Sequence, residues 1–193
     1  MSTQMRKNTN LSMLTECAVM LALAFALSCA KLFEMPMGGS VTVASMLPIM
    51  LISVKHGTGV GLSTAFVYSL TQLAQGFIEG DISAVSMSID VFVIAMLFDY
   101  VVPFTVLGIS GALRRFSDGG IYAGMLIAVL LRFICHYLTG VTIWEQWTPD
   151  GWSAWVYSAA YNGGFLLPDF AICIAVAIFI LRVKEMRRII GLK

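Results

Sequence analysis

The sequence predicts an all-α integral membrane protein, a six-transmembrane-helix bundle with both termini cytoplasmic. Three observations carry this prediction. Apolar types make up 59% of the 193 residues and charged types 12%, against about 45–50% and about 25% in a soluble domain. Long charge-poor runs recur along the chain, and about 20 apolar residues suffice for one span. The basic residues sort to one side when six crossings are drawn, and that side is the cytoplasm by the positive-inside rule. The composition excludes a freely soluble enzyme and a disordered chain. A net charge of +1, from 12 basic and 11 acidic residues, is too balanced for the basic face of a nucleic-acid binder. One transmembrane domain, 1–193, is expected.

The first helix is expected over residues 11–30, broken only by Glu16. Arg6 and Lys7 before it and Ser28-Cys29-Ala30 at its end resemble a signal peptide or lipobox. The apolar run is long and five more follow, so the helix is expected to be retained. The second run, 35–54, opens with Pro36, Gly38 and Gly39, which leaves a helical part over 43–54. Pro48 inside it predicts a kink. The remaining helices are expected over 57–78, over 91–113 with Asp99, over 121–142 with Arg132 and His136, and over 158–181 with Asp169.

With six spans, Arg6, Lys7, Lys55, Arg114, Arg115, Arg182, Lys184, Arg187, Arg188 and Lys193 share one side, and Lys31 alone faces them. The opposite loops carry Glu34, Glu79, Asp81, Asp90, Glu145 and Asp150, an acidic outer face that attracts cations. Cys17, Cys29, Cys135 and Cys173 lie in apolar stretches without CxxC spacing. They read as small buried hydrophobes, with neither a disulfide framework nor a metal site.

A charge at membrane depth marks a functional site by default. Asp99 lies mid-run before Tyr100 and Pro103, and Asp169 follows Pro168. Arg132 and His136, four apart, share a helix face. Arg132 reads equally as an ion-paired or snorkelling side chain, His136 also as a core histidine, and Asp169 also as a structural cap. Glu16 reads first as a charge at the interface. All four tryptophans, Trp144, Trp147, Trp152 and Trp155, fall within twelve residues of one external loop. An interfacial belt would spread them over several helix ends. Their concentration beside a buried acid and a histidine suggests an aromatic box for a planar cation. Tyr157 and Asn162 then enter the last helix, and Gly163-Gly164 offers a close backbone approach. On the first helix Ala18, Ala22 and Ala26 form one stripe, which serves either packing within the bundle or docking of another membrane helix.

Several motifs together carry a family resemblance. They are Leu14-Thr15-Glu16-Cys17-Ala18, Glu34 to Thr42, Met46-Leu47-Pro48-Ile49, Lys55-His56-Gly57, Asp99-Tyr100 with Pro103, Arg132 to His136, Gly140 with Trp144, and Tyr157 to Gly163. In order and spacing they resemble the thiamine-specific substrate-binding (S) component of energy-coupling factor (ECF) transporters, over about residues 14 to 181. The resemblance implies a thiamine site near the outer face and no catalysis by this chain. It implies a bacterial cell-membrane location, with a transmembrane coupling protein and two cytoplasmic ATPases as partners. It places the ligand's acid on Asp99, its neighbouring tyrosine on Tyr100, stacking side chains on His136 and Trp144, and the last helix's tyrosine and asparagine on Tyr157 and Asn162. Ala18 and Ala22 become the coupling-protein surface. Three departures stand out. Some relatives carry Glu at Asp99. A relatives' tryptophan aligns near Gly39, with Met37 or Phe33 as its replacement. Another aligns near Pro149, with Trp147 as substitute.

The residue types suit such a ligand. A permanent thiazolium needs a counter-charge in a dry pocket, aromatic faces add about 0.5–2 kcal/mol each, and directional partners reject analogues that leave them unpaired. No cofactor is expected beyond thiamine as cargo. A stand-alone secondary transporter of a small organic cation is the second reading, although such folds show repeated halves and none is visible here. A membrane enzyme ranks third, because the chain has no HExxH, GxSxG or P-loop.

Overall fold

The computed structural model describes residues 3–36, 38–80 and 88–192. Met37, Asp81 and Lys193, and the side chains of Arg6 and Lys7, lie outside the described residues. In chain order α1 (Thr3–Ser28) leads into a hairpin of β1 (Lys31–Glu34) and β2 (Ser40–Thr42), which pair antiparallel. Then come α2 (Leu47–His56), α3 (Thr58–Glu79), α4 (Ile89–Ile109), α5 (Asp118–Thr142), α6 (Ala154–Arg182) and a short α7 (Lys184–Ile190).

Four stretches are long and apolar enough to cross a membrane: Asn10–Ser28, Ile89–Ile109, Asp118–Thr142 and Ala154–Arg182. The chain is therefore a multi-pass membrane protein. The described residues form seven helices rather than the expected six, because the basic tail folds into α7. The hairpin also departs from a purely helical chain. α3 is 22 residues long, but Thr64, Ser69, Gln72 and Gln75 lower its apolarity. α2 has ten residues, which at about 1.5 Å per residue is half a bilayer. Every residue from Leu47 to Val54 is buried; a helix apolar all round belongs inside its protein. Residues 43–46 are not helical, so α2 begins later than expected. Pro48 sits in its first turn, where the missing N–H has no partner to lose. The expected kink is absent for that reason.

α2 hands over to α3 at Gly57, whose φ of 91° lies in the left-handed region that only glycine enters without strain. Arg114 caps the end of α2, donating to the carbonyl oxygens of Val54 and Lys55. Ser53 ties α2 to the end of α4 and the turn after it: it donates to Gly108 O and accepts from Gly111 N at 2.9 Å. The core is centred on α2, with Met46, Ile49, Met50, Tyr68, Leu107 and Met125 fully enclosed.

α1 lies at the periphery, with 11% of its span buried. Ala24 and Ser28 face the bundle, while Ala18, Ala22 and Ala26 face outward. Packing within the bundle is thus not the stripe's role. Glu16 is more than an interfacial charge, since its Oε2 binds Lys55 Nζ at 2.6 Å and His56 Nε2 at 2.8 Å and pins α1 to the end of α2. The cysteines split: Cys173 is buried, Cys17 and Cys135 are half-buried, and Cys29 is exposed, contrary to its expected burial.

α4 is irregular where function is expected. It is α-helical over Ile89–Ala95, π-helical over Met96–Val101, and ends in a 3-10 turn over Val106–Ile109. Pro103 has no N–H to offer the carbonyl of Asp99 four residues back, and its ring crowds that carbonyl. The wider π turn accommodates this break.

Candidate binding site

A cavity of about 550 Å³ opens at the end of the bundle that carries the hairpin and the 144–153 segment. Its walls come from the hairpin, α3, α4, α5, α6 and the segment after α5. Asp99, Tyr100, His136, Trp144, Trp147, Tyr157 and Asn162 all line it, so the fold brings the predicted residues into one space.

Asp99 is the hub. Its Oδ2 accepts from Trp144 Nε1 at 2.8 Å, and its Oδ1 accepts from the Thr139 hydroxyl and faces His136 Nδ1 at 3.4 Å. The π turn of α4 presents this carboxylate to the Thr139 hydroxyl and the His136 ring on α5 and to the Trp144 indole just beyond it. Trp144 was expected only to stack; it is also a hydrogen-bond donor to the acid. His136 is edge-on to Phe165, with centroids 6.1 Å apart, and its Nε2 receives Arg132 Nε at 3.4 Å. Arg132 is buried, with its guanidinium 4.1 Å above the Phe104 ring. Asn162 joins α6 to α5, its Nδ2 donating to Ser158 O at 3.0 Å and His136 O at 3.2 Å. Tyr100 lies against Gly76 of α3, where a Cβ would meet the ring and hydroxyl within about 2.7 Å. Tyr157 packs against Tyr161 at 5.9 Å.

Other expectations are corrected. Trp152 and Trp155 do not line the cavity; of the four tryptophans only Trp144 and Trp147 do, and Trp147 stands at the rim, 55% exposed. Gly163 and Gly164 meet no closely approaching backbone, and where α6 meets α5 a tight contact lies at Gly140, against the Ser158 hydroxyl. Asp169 is buried and accepts from Thr42 N at 2.9 Å and Thr42 Oγ1 at 2.8 Å. It anchors the hairpin, which is its structural reading. Phe33 is 55% exposed and does not line the cavity. Phe165 occupies the place beside Gly39 instead, with its ring 2.9 Å from where a Cβ there would stand.

Sequence reasoning did not single out Ser28, Gln72, Gln75, Thr139, Tyr161 and Phe165, which all line the cavity. The signal existed for some. Tyr157, Tyr161, Phe165 and Asp169 recur every four residues, one face of a helix. Gln72 and Gln75 are amides at membrane depth; Gln75 accepts from Ser28 Oγ at 2.9 Å and donates to Glu79 at 2.8 Å. At the mouth Lys31 Nζ bridges Glu34 at 2.7 Å and Glu79 at 2.8 Å. Partial burial works against its charge, but the hydrogen bonds to Glu34 and Glu79 prevail and hold its ammonium above the ordinary lysine range.

Residues 14–189 match the family described as Thiamine transporter protein (Thia_YuaJ). The chain belongs to that family. Among similar proteins, "Thiamine transporter ThiT" of Bacillus subtilis (strain 168) is 31% identical over 183 residues, covering 88% of this chain and 90% of the relative. "Thiamine transporter ThiT" of Lacticaseibacillus paracasei is 24% identical over 188 residues, covering 89% and 88%. A solved structure of ThiT from Listeria monocytogenes superposes with a TM-score of 0.72 at 20% identity, covering 92% of this chain and 98% of that one. It supports the fold. In this chain Asp99 lines the cavity, and Gly39 of the hairpin makes room for Phe165. Trp147, two residues before Pro149, also lines the cavity.

Proposed function

We propose that the chain is the thiamine-binding S component of an ATP-driven ECF importer in the bacterial cell membrane. It captures thiamine at the outer face and delivers it to a transmembrane coupling protein carrying two ATPases. The observation that carries this reading is the charge balance of the cavity. Its lining includes three carboxylates, Asp99, Glu79 and Asp169, against two fixed cations, Lys31 and Arg132. Glu79 is paired with Lys31, and Asp169 lines the same cavity as Arg132. Among the described residues Asp99 has no lysine or arginine within 4.0 Å. One uncompensated carboxylate between aromatic walls matches a ligand with one permanent positive charge. The volume falls in the range of about 300–1,000 Å³ usual for small-molecule sites.

The roles follow from the geometry. Asp99 is the counter-charge, His136 and Trp144 with Phe165 supply ring faces, and Trp147 closes the mouth. Tyr100, Tyr157 and Asn162 offer polar partners to the aminopyrimidine and the hydroxyl. Family membership supports thiamine as cargo. Six spans with cytoplasmic termini are supported by the ten basic residues that such a topology gathers on one side. The outward stripe of Ala18 and Ala22 suits close approach of a coupling-protein helix, because association in lipid relies on backbone proximity.

The test is binding and transport measured separately. Calorimetry on the purified chain should give one thiamine per protein. Proteoliposomes holding the chain alone should take up no thiamine, and adding the coupling protein, ATPases and ATP should start uptake. Uptake by the chain alone would favour a stand-alone carrier of organic cations.

A further inference from the structure

Arg132 places a buried positive charge beside a cavity whose proposed ligand is a cation. Among the described residues it makes no ion pair within 4.0 Å. Its guanidinium rests on Phe104 and its Nε–H points at His136 Nε2, 3.4 Å away. A nitrogen that accepts there carries no proton, so the ring proton sits on Nδ1, which faces Asp99 Oδ1. We propose that Arg132 is a positioning residue, which holds His136 as the neutral Nδ1–H tautomer and so reserves the charge of Asp99 for the ligand.

The argument rests on the cationic-ligand reading above. An imidazolium at His136 would neutralise Asp99 at 3.4 Å and set a second cation against the ligand's own. With a guanidinium donor on Nε2, that protonation would oppose two donors and two positive charges. The charges acting on His136 are Asp99 of α4 and Arg132 of α5. The other ionisable groups around the cavity are Tyr100 on α4, Tyr157, Tyr161 and Asp169 on α6, and Lys31 and Glu79 at the mouth.

Two measurements test this. Nitrogen NMR of the full chain with labelled histidine, in His56→Gln to leave one histidine, should give an unprotonated Nε2 and a protonated Nδ1. A protonated Nε2 overturns the proposal. Thiamine affinity is then compared at about pH 8 and about pH 6, the window in which an ordinary histidine titrates. The parent and Arg132→Lys should change little. Arg132→Gln should lose about tenfold or more between the two, and Arg132→Gln/His136→Gln should lose that pH dependence. An equal loss at both pH values in Arg132→Gln makes Arg132 merely structural and overturns the proposal. If the parent binds no thiamine at either pH, the thiamine reading fails, while the NMR still decides the tautomer.

Discussion

At the scale of single residues, Asp99 concentrates the chemistry. Its oxygens accept from an indole and a hydroxyl and face an imidazole nitrogen, and the two neutral donors orient the carboxylate without cancelling its charge. Asp99→Asn should weaken thiamine binding by about 2–5 kcal/mol, the usual cost of truncating one partner of a buried charge pair. Calorimetry on the purified variant reads this, and parental affinity would remove the charge-pairing argument. Trp144→Phe separates the two roles of that side chain. It keeps a ring face but deletes the Nε1–H bond to Asp99, and should cost about 1–3 kcal/mol. Trp144→Ala should cost more, because the ring face goes too. Equal affinities in the two variants would make stacking worthless here.

At the scale of elements, the stripe on α1 yields the next prediction. Ala18→Trp projects into lipid rather than into the core, so the purified variant should fold and bind thiamine like the parent. It should fail to co-purify with the coupling protein or support uptake. Loss of binding would mean that the stripe touches the bundle, and normal transport would move docking elsewhere. The same scale shows what the sequence made legible. Expected residues 57–78 and observed Thr58–Glu79 agree because a long run bounded by glycines has few alternatives. α6 starts four residues earlier than expected, at Ala154, because Ser153 caps it by accepting from Val156 N at 3.3 Å. That cap was readable, but the dense tryptophans around it read as loop. Pro48 was misread as a kink because its position in a first turn depends on where the helix begins, and an apolar run alone does not mark that start. The hairpin was invisible because two strands of four and three residues carry no period long enough to register.

At the scale of the whole molecule, topology is testable directly. A cysteine introduced at Ser153 should react with an impermeant reagent from outside and one at Ser117 should not; the reverse pattern overturns cytoplasmic termini. The mouth is held by Lys31 between the hairpin and the end of α3. Its folded-state charge is favoured over the unfolded one, so this contribution is complete below the ordinary lysine range and lost as pH rises through the raised value. Lys31→Met should therefore lower the melting temperature at neutral pH and leave it unchanged in strongly alkaline buffer, measured by thermal scanning. The candidate site was largely legible because buried charges and clustered aromatics announce themselves in an apolar chain. Phe165 was not, because a phenylalanine in a membrane helix looks like any other until its neighbour at Gly39 is known.

The crowding of every tryptophan into residues 144–155 has an optical consequence. The intrinsic emission of this protein is a local signal from one end, reporting nothing of the opposite end. It is also composite, since Trp144 and Trp147 line the cavity while Trp152 and Trp155 do not. A ligand in the cavity should extinguish one component of the fluorescence decay and leave the other as an internal reference. Water-soluble acrylamide should reach the second component whether or not the cavity is filled. The protein thus carries its own ratiometric sensor of occupancy, readable without any added dye.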